Sequence, residues 1–298
     1  MNPRNRIAIA ALALLAPFAS LRAQGSDPKP ETRQDQPAGQ GQPTKVEKLS
    51  EWPALKDTDK DRVLGLVGQF RKADPELHAA ATKQLITIGE AAMPLLFQQV
   101  SDNPNNVNTQ LFALFDTLLE PKHAALMARE SKKQKVALRR YLVQRLCRFL
   151  DSDMLPVLAS AAKDKDPETA FFAALGGLAL KQKDHLPAVL AYSKNHWREV
   201  APICAEVLPN ARSNEAGSWV FEAIAKAPSA DQMVGLRLAR YLAVKEHTII
   251  LRGYLQAADG SVKKEAVNAM RVMHGEAPME NLSVFQAIEM AKEWLNKA

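Results

Sequence analysis

The strongest constraint on this chain is a 31-residue internal period. Stepping by 31 from Pro94 lands on Ala125, Pro156, Pro187, Ser218 and Ile249, with no insertion or deletion. At each landing the next two residues are apolar: Leu95-Leu96, Leu126-Met127, Val157-Leu158, Ala188-Val189, Trp219-Val220 and Ile250-Leu251. The same register runs through a second set of positions: Ala80, Leu111, Leu142, Ala173, Cys204, Gly235 and Ala266. A companion column is Ala81, Phe112, Val143, Ala174, Ala205, Leu236 and Val267. Four positions beyond the first column come Gln84, Phe115, Leu146, Gly177, Leu208, Ala239 and Met270. Positions i and i+4 share a helix face, so each repeat carries one apolar helical stripe. A single pair of helices cannot bury such a stripe, whereas stacked neighbours can. The expected fold is all-α: a solenoid of about seven stacked helical hairpins over residues 51–298.

Local signals agree with this reading. Asp74-Pro75-Glu76 offers a capping carboxylate, then Pro at the first helical position. Leu77, Ala80, Ala81, Leu85 and Ile88 follow with helical spacing. Gly89 then stops the helix, and Ala92 to Val100 makes the return helix of the hairpin. The segment Ala81–Leu96, with its Ile88-Gly89 turn, resembles a HEAT repeat of the short, roughly thirty-residue kind found in bacterial proteins related to phycobilin lyases. The Pro94, Pro156 and Pro187 column fits that resemblance better than the tetratricopeptide pattern, whose Trp-Leu-Gly-Tyr signature is missing. The resemblance spans residues 60–298 but is close only over 75–102, and the Gly275–Asn281 connection stretches the last repeat.

Upstream of the repeats the composition changes twice. Residues 1–23 carry Arg4 and Arg6, an apolar run from Ile7 to Ala19, and Leu21-Arg22-Ala23 before a plausible cut at Gln24. That is the pattern of a signal peptide, too short to span a bilayer core of about 30 Å. No Cys follows it, so a lipobox is not expected, and the mature chain is expected to be exported to a periplasm or the medium. Residues 24–50 are rich in Gln, Pro, Gly and charge and read as a disordered linker. The net charge of +6 falls to +3 once Arg4, Arg6 and Arg22 leave with residues 1–23, which hold no acid. A polyanion is not needed to explain a charge of that size. Cys147 and Cys204 form no CxxC pair, which excludes zinc ribbons and thioredoxin-type centres. Their separation of nearly two repeats predicts two unpaired thiols.

No strong catalytic motif is present: there is no Gly-x-Ser-x-Gly, Walker-type loop or His-Glu-x-x-His. Asp57, Asp59 and Asp61 lack the Gly and Glu that a calcium loop needs, and read as a capping cluster. His123, His185 and His247 share one column two repeats apart, on the order of 20 Å between neighbours, too far to share a metal ion; they read as surface or turn residues. Gly176-Gly177 reads as a site of close helix packing. No catalytic residue, cofactor or metal is therefore assigned. The candidate site is a basic ridge of Lys132, Lys133, Arg140, Lys163 and Lys194 for an anionic partner. Lys132, Lys163 and Lys194 form one column at the ends of second helices, where lysines also complement the helix dipole. The expected function is a non-catalytic binding or scaffold protein of the cell envelope or extracellular space. Its expected partner is a protein or an acidic envelope polymer, and not a nucleic acid. Two alternatives stay open: a lyase-like helical-repeat enzyme with a pocket, and a polyanion-binding protein using the ridge.

Overall fold

The computed structural model describes residues 47–132 and 135–297; the expected signal peptide, residues 1–23, and residues 24–46 of the expected linker lie outside them. No strand occurs among the described residues, and fourteen α-helices follow one another. A single helix, α1 (Asp57–Gln69), precedes the hairpins. Then come α2 (Pro75–Ile88) with α3 (Met93–Gln99), α4 (Asn106–Leu118) with α5 (Ala124–Ser131), and α6 (Val136–Phe149) with α7 (Leu155–Ala161). The fourth hairpin pairs α8 (Pro167–Ala179) with the first half of α9 (Leu186–Val207). The second half of α9 pairs with α10 (Asn214–Ile224), followed by α11 (Ser229–Leu242) with α12 (Thr248–Leu255) and α13 (Gly260–Met273) with α14 (Val284–Lys297). Among the described residues seven hairpins thus stack as a solenoid in the register of the 31-residue period, except that α14 is displaced by the long Gly275–Asn281 connection.

The helix ends follow from side chains that satisfy otherwise unbonded backbone groups. The Asp74 carboxylate accepts from the Glu76 and Leu77 amides at 3.0 and 3.2 Å, with Pro75 behind it. Asn105, one period later, caps α4 through the Asn108 amide at 2.9 Å. Asp166, Ser213 and Asp259 cap α8, α10 and α13 in the same way. Gly89 ends α2 with φ +76°, a conformation costly for any residue with a Cβ. The second helix of each of the first six hairpins enters through a single 3₁₀ turn, such as Pro121–His123 or Lys245–His247.

The predicted column is buried at Leu111, Leu142, Ala173, Cys204, Gly235 and Ala266, each packed between first helices. Ala80 is the exception and lies exposed. It sits on the first helix of the ladder, which no earlier hairpin covers. Helix α1 packs against α2, and its Arg62 guanidinium donates to Gln84 at 3.0 Å, but it leaves Ala80 uncovered. Ala81 and Leu85, one residue over, bury fully instead.

Two further differences from expectation have local causes. Asp57 and Asp59 stand inside the first turn of α1 rather than ahead of it, where the carboxylates still face the positive helix end. Residues 47–50, placed in the linker by composition, run along the helical body. Lys48 bridges Asp151 and Asp153 at 2.7 and 2.6 Å, and the Leu49 amide donates to the Lys122 carbonyl at 2.9 Å. Trp52 continues this strap by stacking on His123, with ring centroids 5.3 Å apart, and meeting Phe97 edge-on at 5.8 Å. Low hydrophobicity hid these contacts, because two are ionic or backbone-mediated and only the tryptophan is apolar.

Candidate anion-binding cleft

A cleft of about 420 Å³ opens where the C-terminal ends of α5 and α7 meet the side of α6. Val143 and Val157 supply its apolar lining, and Lys132, Lys163 and Lys165 stand exposed around it. Each lysine owes its place to the hairpin geometry. Lys132 follows the last turn of α5, and Lys163 and Lys165 lie in the connection that leads to α8. None of the three has an acidic partner among the described residues. Arg139 also reaches the cleft, but its Nε sits 2.7 Å from Asp164. The cleft therefore keeps a surplus of about three positive charges, which the partial negative charge of two helix C-termini offsets only in part.

The other members of the expected ridge are disposed differently. Arg140 lies on α6 next to Arg139 but turns into a neighbouring cleft. There its guanidinium grips Asp166 with two hydrogen bonds, at 3.0 and 2.7 Å, and reaches Glu168 at 2.7 Å. Lys194 is held 2.6 Å from Asp231. Lys133 lies outside the described residues. Of the five residues in the ridge, the structure brings only Lys132 and Lys163 together. Lys165 was missed because it falls outside the 31-residue column. The signal that could have found it is the alternating run Lys163-Asp164-Lys165-Asp166, in which both carboxylates are taken by arginines of α6 and the lysines are left over.

The electrostatics of that run are set by burial and by α6. Burial alone would raise the Asp166 carboxyl; the Arg140 fork and the Thr169 hydroxyl and amide outweigh it and hold the group down at about 2. Glu168 moves the other way, raised chiefly by burial.

The histidine column has a structural use. His123 and His247 are buried rather than exposed, because each closes the 3₁₀ turn ahead of a second helix. The Nδ1 of His123 accepts the Glu120 amide at 3.0 Å, which leaves the proton on Nε2 to be donated to Glu90. His247 repeats this four periods later, accepting from the Val244 amide at 3.3 Å and donating to the Asn214 carbonyl at 3.0 Å. His185 packs against Gly177, whose missing Cβ makes room for the ring. Among the described residues no group of three His, Cys, Asp or Glu side chains is placed to hold a metal ion, and no helix is long and apolar enough to cross a membrane.

No known family model matches the chain, and no curated protein matches it. Among solved structures, human deoxyhypusine hydroxylase in complex with glycerol is similar at a TM-score of 0.30 and 13% identity, over 81% of this chain and 98% of that one. A likeness of that degree carries no argument about activity.

Proposed function

We propose that this chain is an exported, non-catalytic HEAT-like solenoid that holds an anionic partner in the cleft between α5 and α7. The observation that carries this reading is the contrast among its cations. Arg139, Arg140, Arg148 and Lys194 are each tied to a carboxylate, whereas Lys132, Lys163 and Lys165 converge on one cleft with none among the described residues. Lysines that served only to complement helix ends would not need to share a concavity with an apolar lining. Repeat proteins present extended surfaces of this kind to their partners. The HEAT assignment rests on the Ile88-Gly89 turn and the proline column that opens the second helices.

Salt-gradient elution from immobilised heparin tests the reading, since binding through ion pairs weakens steeply with ionic strength. The wild-type chain is expected to elute at clearly higher salt than the triple variant Lys132→Gln, Lys163→Gln, Lys165→Gln. Lys194→Gln is expected to elute with the wild type. Co-elution of the triple variant with the wild type would remove the cleft from consideration. Capture of partners from an envelope extract, with and without the triple substitution, then identifies what the cleft holds.

A further inference from the structure

The connection from α7 to α8 borders two clefts. Lys163, Asp164 and Lys165 face the lysine cleft; Asp166 and Glu168 face a second of about 270 Å³, closed by Tyr192, Asn195 and His196 of α9. Consecutive residues of α6 reach one cleft each, Arg139 the first and Arg140 the second. The two clefts are therefore adjacent subsites, bordered in common by the α7–α8 connection and reached by consecutive residues of α6.

The second cleft differs in chemistry from the first. Its cation is spent: Arg140 lies 2.7 Å from both Asp166 and Glu168 and fixes the two carboxylates in place. Around them stand the Tyr192 hydroxyl and the Asn195 amide, neither hydrogen-bonded to protein among the described residues. One wall is aromatic. Phe171, Tyr192 and His196 form a stack, with centroid distances of 4.6 and 4.4 Å and interplanar angles of 23° and 19°, that ends at the exposed imidazole of His196. His196 is set there by a break in α9, where its backbone leaves helical geometry (φ −124°, ψ 20°) between the fourth and fifth hairpins. Its other polar neighbour is Glu199, 3.8 Å from Nδ1.

A cleft with carboxylate acceptors, an arginine-fixed pair, a free amide, a free hydroxyl and an aromatic edge repels a bare polyanion. It suits a polyhydroxylated ring, because each hydroxyl both donates and accepts, and the apolar C–H face of such a ring packs on an aromatic surface. The volume lies just under the roughly 300–1,000 Å³ of drug-sized pockets and matches a single ring. Resting on the anionic-partner reading above, we infer that the partner is an acidic glycan: a sugar ring occupies the cleft at His196, and its sulfate, phosphate or carboxylate substituent lies among Lys132, Lys163 and Lys165.

The test uses the immobilised full chain and three soluble probes of matched charge: a sulfated heparin tetrasaccharide, a linear polyphosphate and poly-glutamate. The tetrasaccharide is expected to bind most tightly. Asn195→Ala and His196→Ala, both at exposed positions, are expected to weaken the tetrasaccharide about tenfold, as loss of one polar or stacking contact does, and to leave polyphosphate within about twofold. Equal affinity for all three probes, or an unchanged tetrasaccharide affinity in both variants, overturns the sugar subsite while leaving the lysine cleft standing. Preference for poly-glutamate overturns it in favour of an acidic protein segment. Binding of none of the probes, or full retention of all three by the triple lysine variant, overturns the anionic reading itself.

Discussion

Arg148 at the end of α6 and Glu206 in the second half of α9 form an ion pair, with Nε 3.1 and 3.0 Å from the two carboxylate oxygens. The pair joins the third hairpin to the fifth and passes over the fourth. A uniform stack spaced at ~10 Å per helix would hold these helices about 20 Å apart, beyond the comfortable reach of one such pair. Local thinning of the fourth hairpin brings them together. A Cβ at Gly176 would stand 3.1 Å from the Cα of Cys147, so α8 lies against α6 almost backbone to backbone. The Gly176-Gly177 pair is thus a packing device, as its sequence context suggests.

Two glycines of second helices, Gly217 in α10 and Gly253 in α12, should respond to substitution in opposite directions. At Gly217 an added Cβ would meet His247 Cε1 at 2.5 Å and the Ala243 Cα at 2.9 Å, and that backbone cannot swing aside. Gly217→Ala is expected to cost about 1–3 kcal/mol by overpacking. Gly253, with nothing within 4 Å of the same position, should gain about 0.5–1 kcal/mol as alanine through helix propensity. Urea denaturation of both variants checks the pair; a destabilised Gly253→Ala would contradict the packing described.

Leu142 is fully buried in the middle of the ladder, and Ala80 is exposed at its start. Leu142→Ala is expected to lose about 2–5 kcal/mol. Ala80→Ser, in the same column, should change stability by less than about 0.5 kcal/mol. Equal effects would show that the first hairpin is covered as the others are.

Asp166 links acid stability to the start of α8. Its carboxyl is held at about 2 in the folded chain, below the ordinary carboxylate value, and its side chain is only 11% exposed. The stabilisation is present above the unfolded carboxylate pKa and disappears as pH falls through about 2. It amounts to ~2 kcal/mol at neutral pH. Unfolding free energies measured between pH 5 and 2 should fall less steeply for Asp166→Asn than for the wild type, with the variant already less stable at pH 7. Parallel curves would mean that the Arg140 fork does not operate in solution.

Cys147 and Cys204 are both buried and unpaired. Burial pushes the Cys204 thiol up to about 12 and raises that of Cys147 further still, so almost no thiolate exists at pH 8. An aromatic disulfide reagent should label neither thiol in the native chain on the time scale of minutes, and both at once in denaturant without reductant. Absence of titratable thiols in denaturant would establish a disulfide in the native chain.

The period of 31 and the apolar columns suffice for helix, hairpin and stack, because burying one face per hairpin is a requirement that repeats with the sequence. The capping residue at Asp74 and the stop at Gly89 are equally legible, since each acts on its own backbone neighbours. Side-chain destinations are another matter. Lys132, Lys163 and Lys194 look identical in the column, yet Lys194 meets Asp231 while the other two have no acidic partner among the described residues. Arg139 and Arg140 are consecutive and serve different clefts because successive helix positions point about 100° apart. His123 and His247, chemically suited to the surface, are buried because turn amides need acceptors there. Which charges cancel and which are left to meet a partner depends on residues 25 to 60 positions away in sequence, and only the stacked hairpins decide which of these come within 3 Å.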